Sequence, residues 1–517
     1  MSDAPNVTSG KPDFPDWLSP MLVKELRQGL RSRVFLFCML AIQGAMILLA
    51  LIGLLQASVN DDTQGITVFF WIIAGLPLVM IMPFSGLGAI SREKTANTLE
   101  LIFLTRLTAR RIVFGKWVAI VAQTLLLVSA ILPYAVMRYY VGGVDITSEL
   151  AVLGWMVAGS AVLTSITVGI SPAVGRVGRV LMPFGVFIAL YIMLGLIFDF
   201  GGGMLSWRGD WKTVALVVIQ GSLLMLLMLE VGASKIGPEA ENHSTPMRLV
   251  ALAAALAWVL GTYLPMPGGL AGLMRWFTMI IVVPVMVGAV CEPVREIPSV
   301  YRPFLGWGVA GRALGRLFYP GWPSGVFFAL LVIAIGGLRY HEVAIGVHYF
   351  AAKGGYTQQP VDQLLLTHVR VSEVAFVGGF FLPVALFRVF WPDARLKTMF
   401  YVVAQAALGL VALVGLLFTE YGGGHQQHYS GPSMTEQVIA CIPTCAFYLQ
   451  TRMTDWHDFQ LNAVVVGGLI FTAIELVILS VRMWPAWRAI SALEKTAASL
   501  EPAESAAPDA ARSDAAA

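Results

Sequence analysis

Apolar runs about 20 residues long, each closed by a short polar or charged stretch, follow one another along the whole chain. A run of that length crosses the hydrocarbon core of a bilayer as a helix. The pattern predicts about twelve such spans: 34–55, 66–87, 117–136, 150–170, 180–198 and 212–230, then 249–265, 273–291, 323–338, 371–389, 398–418 and 460–481. Residues 436–450 are apolar but too short to cross, and read as a re-entrant or interfacial piece. Residues 1–19 are polar, carry Pro5, Pro12 and Pro15, and lack a cleavage-like site, so the start is expected to stay in the cytoplasm as a polar N-terminus. Residues 496–517 are rich in Ala, Ser, Glu and Asp with two prolines, and the segment 482–517 is expected to be a cytoplasmic, largely disordered tail.

Composition agrees with lipid as the solvent. Hydrophobic residues make up 57% of the chain and charged residues 13%, a balance that leaves too little polar surface for a water-soluble domain. The expected fold class is therefore all-α: a polytopic integral membrane protein of about 12 transmembrane helices. A formal net charge of +3 is too small to point to nucleic acid.

Charge placement then orients the spans. With the N-terminus inside, the outer segments hold only Arg138, Arg208, Lys212, Arg275, Arg339, Lys353, Arg370 and Arg452 of the 34 Lys and Arg, and all the others fall on inner segments. That asymmetry follows the positive-inside rule and predicts both termini in the cytoplasm.

Two charged segments interrupt the apolar pattern in the first half. In 20–33, Ser19 can cap a helix that starts at Pro20, and Leu22, Leu26 and Leu30 share one face while Lys24, Glu25 and Arg27 lie elsewhere. This predicts an amphipathic helix in the headgroup plane. In 90–116, Pro83 and Gly86 loosen the end of the second span. Arg92, Glu93, Lys94 and Glu100 form a polar side, and Leu99, Ile102, Phe103 and Leu107 recur at helical spacing. A basic stretch, Ala109 to Lys116, then enters the third span. By composition, this segment is either a docking face for a cytoplasmic protein or a loop held by anionic lipid.

The order of these features resembles the permease subunit of ATP-binding-cassette exporters of the second type, over residues 20–235. The matching residues are Leu22-Val23-Lys24-Glu25-Leu26-Arg27 before the first span, then Arg92-Glu93-Lys94, Thr98-Leu99-Glu100-Leu101, Arg110-Arg111-Ile112-Val113 and Gly115-Lys116 between the second and third. The chain departs from the family pattern at Asn97, where Gly is common, and at Arg106, where Pro is common. The resemblance implies a six-span permease domain over 34–230, with 90–116 as the coupling segment that docks on a nucleotide-binding subunit. It makes Glu93, Glu100, Arg110 and Arg111 the expected partner contacts, and Lys24, Glu25 and Arg27 the marks of the interfacial helix. ATP and Mg would then sit on a separate P-loop ATPase partner, because this chain has no Gly-x-x-x-x-Gly-Lys-Ser/Thr loop. The chain itself is expected to be a transporter subunit of the inner membrane, working alone, as a homodimer or with a second permease, and not an enzyme.

A linker at 231–248 leads to a second six-span domain at 249–481. Its longest basic inner segment, 292–322, also follows its second span, but no residue-level match links it to 90–116. Either the two halves form one transport pathway or an accessory membrane domain is fused to the permease. Within the spans, Glu475 and Glu230 are the ionisable candidates for a polar site, with Asp199 at an outer span end. Gln43, Gln123, Gln220 and Gln405 read as helix-to-helix glue. His425 and His428 lack a completing ligand set for a metal. Whether Cys441 and Cys445 pair on the outer side stays open. Two other function classes fit the composition: an ion- or proton-coupled secondary transporter using Glu475 or Asp199, and a membrane-embedded enzyme acting on lipid-linked substrates in loops 339–370 or 419–459. The transported cargo is not readable from these residues.

Overall fold

The computed structural model describes residues 20–57, 64–95, 107–142, 145–173, 211–238, 240–261, 263, 268–336, 363–392, 394–422, 442 and 458–513. Every regular element among them is a helix. Eight helices are long and apolar enough to cross a membrane, or up to nine if one bent pair counts as a single span. Each span expected from the hydrophobic pattern coincides with a helix except 180–198, which lies outside the described residues, as do Glu100, Asp199, Cys441, Cys445 and nearly all of 436–450.

The chain divides into two compact units, Met1–Glu239 and Ala240–Ala517. The division falls inside the linker expected at 231–248, although helix extends into both ends of that stretch. In the first unit α1 spans Pro20–Leu30 and α2 Arg33–Ala57. The second expected span is a broken helix. It comprises α3 (Gln64–Gly75), a π turn (Leu76–Ile81), α4 (Met82–Ser85) and a 3-10 turn (Gly86–Gly88), followed by the short α5 (Ser91–Thr95). Then come α6 (Ala109–Gly142), α7 (Ile146–Ile170) and α8 (Trp211–Ile236). Their core is apolar, built from side chains such as Phe35, Met46, Phe70, Leu78, Ile120, Leu127 and Leu153. Outward, α2 exposes Leu36, Phe37, Leu40 and Leu48, as a helix facing lipid does.

The break in the second span has a local cause. Pro77 and Pro83 remove two backbone donors and push the helix out of α geometry. Beside the break, hydroxyls of α7 and of Ser171 just after it bond to carbonyls of the second span. Ser160 Oγ donates to Leu78 O at 2.6 Å, Thr167 Oγ1 to Pro83 O at 2.7 Å and Ser171 Oγ to Leu87 O at 2.8 Å. All three side chains are buried. Gly86 makes room for Thr167, since a β-carbon there would meet the threonine hydroxyl.

At the other end of the unit, Arg138 donates to Glu149 at 2.9 Å and to Thr67 Oγ1 at 2.8 Å, tying α6, α7 and α3 together. Asp145 caps α7, accepting from the Thr147 and Ser148 amides and hydroxyls. Those bonds, the Thr147 hydroxyl foremost, hold its carboxyl down at about 2. Gln43 bridges α2 and α6 through Ala130 O and the Tyr134 hydroxyl, as expected of helix-to-helix glue.

The second unit holds α9 (Ser244–Gly261), α10 (Gly268–Cys291), a 3-10 segment (Pro298–Trp307), α11 (Gly308–Phe318), α12 (Trp322–Gly336), α13 (Gln363–Phe390), α14 (Thr398–Gly422) and α15 (Asp458–Ser513). α11 and α12 meet at 88°. The turn between them includes Gly321 at φ 123°, a conformation glycine tolerates. The tail expected to be disordered from 482 on is instead helical as far as Ser513. Met483, Ile490 and Ala497 are buried at seven-residue spacing, and Ile490 packs with Val300, Tyr301 and Tyr319. Alanine-rich sequence continues a helix readily once such a seam anchors its first turns.

Gly169 on α7 marks a close approach of two helices. A β-carbon there would fall on the Met228 carbonyl of α8, and one at Gly232 would meet the Gly169 backbone. Backbone cannot step aside as a side-chain tip can. Gly169→Val is expected to lower the melting temperature of the purified chain, through about 1–3 kcal/mol of overpacking. Gly154→Ala, at a position facing open space, should leave it unchanged.

Candidate coupling surface

Lys116 organises the end of the first unit that carries the charged segments. It stands on α6 between Ile112, Val113, Ala119 and Ile120, all buried, and its own side chain is 3% exposed. A buried ammonium needs compensating charge. Its Nζ donates to Glu25 Oε1 at 2.9 Å and to Glu93 Oε1 at 2.8 Å. The three residues come from α1, α5 and α6, so one ion triad joins the interfacial helix, the end of the broken span and the start of the third.

Neighbouring bonds hold the triad in place. Gly29, one turn beyond Glu25, packs on the Gln123 side chain of α6. Ser171, just past α7, accepts from the Ile90 and Ser91 amides, each at 3.2 Å, and so fixes the turn that presents Glu93. Lys94 Nζ reaches Pro172 O at 3.4 Å and Arg92 Nε donates to Gly88 O at 3.1 Å.

A second pair lies on the same helix. Arg110 grips Glu230 of α8 with two nitrogens, at 2.8–3.0 Å. The guanidinium is 52% exposed and the carboxylate 12%. A two-pronged pair of this kind fixes orientation as well as distance.

Several residues singled out in the sequence make contacts within the chain. Glu93 and Arg110, expected to face a partner protein, are engaged within the chain. Glu230, expected as an intramembrane polar site, is half of the Arg110 pair. Glu25 turns inward to Lys116, whereas Lys24 and Arg27 are exposed. Arg111 is exposed, together with Arg92 and Lys94. Glu475 belongs to the second unit, on α15. It is 3% exposed, and neither oxygen has a hydrogen-bond partner among the described residues.

Sequence reasoning passed over Lys116 as a site residue and missed the α7 hydroxyls. Both had a signal. Lys116 falls on the same helix face as its apolar neighbours at i−4, i−3, i+3 and i+4, where a solvated lysine does not belong. Ser160, Thr164, Thr167 and Ser171 recur at helical spacing in an otherwise apolar run.

Lys116→Met is expected to destabilise the purified chain by about 3–5 kcal/mol, because it strands two carboxylates against each other. Adding Glu25→Gln and Glu93→Gln to that variant should recover much of the loss in a thermal or denaturant melt. A melt that does not recover would mean Lys116 acts by packing alone. The chain matches no protein-family model, no curated protein and no solved structure with which it was compared.

Proposed function

We propose that this chain is the membrane-spanning permease subunit of an ATP-driven exporter, with a separate cytoplasmic P-loop ATPase as its partner. The observation that carries the reading is the Lys116 triad. Glu25, Glu93 and Lys116 belong to three separate stretches of the family-like pattern, and they meet in one buried ion cluster. A push delivered to the segment after the second span would pass directly to the interfacial helix and the third span. Such a linkage fits a subunit that is driven from outside the membrane.

In this reading the chain crosses the inner membrane about twelve times, with both termini cytoplasmic, as the lysine and arginine asymmetry supports. ATP closes the partner ATPases, the coupling segment 90–116 moves, and the spans exchange access. Docking then falls to exposed residues of the segment, Arg92, Lys94 and Arg111, while Glu93 transmits. Reversing Glu93 would put a cation against Lys116, so it tests the triad and not the docking.

Purification from the native membrane in mild detergent, followed by mass spectrometry, tests the proposal. A stoichiometric P-loop ATPase is expected. The double variant Arg92→Glu, Arg111→Glu should reduce its recovery about tenfold or more, since charge pairs at an interface contribute on this scale. Full recovery of ATPase with that variant would move the docking face elsewhere, and no ATPase after crosslinking would sink the exporter reading.

One observation favours a second reading, an ion- or proton-coupled transporter. Glu475 is a buried carboxyl inside a span, and neither oxygen has a hydrogen-bond partner among the described residues. Thr472 Oγ1, one turn earlier on the same helix, is likewise buried and without one. Groups of this kind inside membranes mark ion or proton pathways. Under the coupled reading, Glu475→Gln abolishes gradient-dependent transport in vesicles. Under the exporter reading, ATP-dependent transport survives it.

A further inference from the structure

The outward face of α1 is a basic cleft. Among the described residues, a cleft of about 670 Å³ is lined by Val23, Lys24, Arg27, Gln28 and Arg31. Lys24, Arg27 and Gln28 share one face of α1, and Arg31, the first residue after the helix, bonds back to the Arg27 carbonyl at 3.3 Å. The one carboxylate of this helix, Glu25, is turned away to Lys116. Among its described lining residues the cleft holds the ammonium of Lys24, the guanidinium of Arg31 and one amide, with Arg27 beside them, and none of these five residues is acidic. That donor set matches phosphate oxygens, which only accept.

What lies next to the cleft narrows the ligand. At Arg31 the chain bends, with Ser32 Oγ capping the next helix through the Phe35 amide at 3.2 Å. It then enters α2, whose first turns expose Val34, Leu36 and Leu40, and Phe37 at 73%. A cationic cleft followed within one or two turns by bare apolar helix has the outline of a phospholipid, with a charged head and hydrocarbon below. We infer that the cleft on α1 binds the phosphate headgroup of an anionic membrane lipid, whose acyl chains lie along the start of α2. The inference does not depend on the exporter reading, because it requires no ATPase. It adds a role for α1: lipid on its outer face, the Lys116 triad on its inner one, so the leaflet holds the helix that braces the third span.

The test uses the full chain in nanodiscs of mixed phosphatidylglycerol and phosphatidylcholine, with the lipids that stay bound counted by native mass spectrometry. The wild type should retain phosphatidylglycerol preferentially. The variant Lys24→Gln, Arg27→Gln, Arg31→Gln should lose at least about tenfold of that preference, each cation near an anionic surface being worth roughly fivefold. The charge-retaining variant Lys24→Arg, Arg27→Lys, Arg31→Lys should keep it. Equal preference in wild type and the Gln variant would overturn the inference. So would displacement of the lipid by inorganic phosphate, which would make the site one for free anions. Loss of the lipid when an ATPase subunit is bound would assign the face to protein. Should the Gln variant fail to fold, labelling of wild-type Lys24 by an amine reagent decides: protection in phosphatidylglycerol membranes and none in phosphatidylcholine supports the site, and equal labelling rejects it.

Discussion

A lysine buried inside a helical bundle must be neutralised where it stands, and in the first unit that requirement at Lys116 arranges much of the rest. Two carboxylates have to reach it, one from a helix that precedes the first span and one from a turn that follows the second. Bringing Glu25 in lays α1 against α6, where Gly29 lets the two come close. Bringing Glu93 in requires the second span to end early and turn sharply. The energetics favour an all-or-none arrangement, because removing one partner of a buried ion cluster leaves charge stranded at a cost of several kcal/mol.

The sharp turn has its own requirement. A span broken by two prolines exposes carbonyls that lipid cannot satisfy. Ser160 meets one of these at Leu78, Thr167 and Ser171 bond to the Pro83 and Leu87 carbonyls further along, and Ser171 also accepts from the Ile90 and Ser91 amides. The broken helix, the hydroxyl face and the ion triad thus form one mechanical assembly. The second span departs from regular α-helix along much of its length, while its end is tied by charge to two neighbouring helices. That combination suits an element meant to convey movement.

The second unit meets a related problem with arginine. Arg248 is fully buried and reaches Glu292 Oε2 at 3.1 Å, while its other donors serve the carbonyls of Leu317, Tyr319 and Gly321. Thr245 Oγ1 takes the Phe318 carbonyl at 2.9 Å. The C-terminal carbonyls of α11, which no further helix turn would satisfy, are capped by side chains of α9. This permits the 88° bend into α12. A planar guanidinium with several fixed donors suits a cluster of carbonyls, whereas the compact ammonium of Lys116 suits a pair of carboxylates.

Much of the helical architecture was legible in the sequence, because lipid imposes one rule everywhere: backbone must bond to itself, so long apolar runs become helices. The amphipathic start at Pro20, the loosening near Pro83 and the charged character of 90–116 followed from local periodicity. Three things did not. Glu93, Arg110 and Glu230 have ion partners 23 and 120 residues away along the chain, and no local pattern encodes such pairing. The helix through 482–513 was missed because its Ala, Ser and Glu content reads as solvated unless the buried seam at Met483, Ile490 and Ala497 is seen. The α7 hydroxyls looked like weak polar positions until the broken span beside them showed what they bond. Sequence by itself determined where helices form and which surfaces can face lipid, since both are short-range consequences of side-chain polarity. Only the tertiary structure decided which charges neutralise one another, since that depends on which distant segments the packing of helices brings within hydrogen-bond reach.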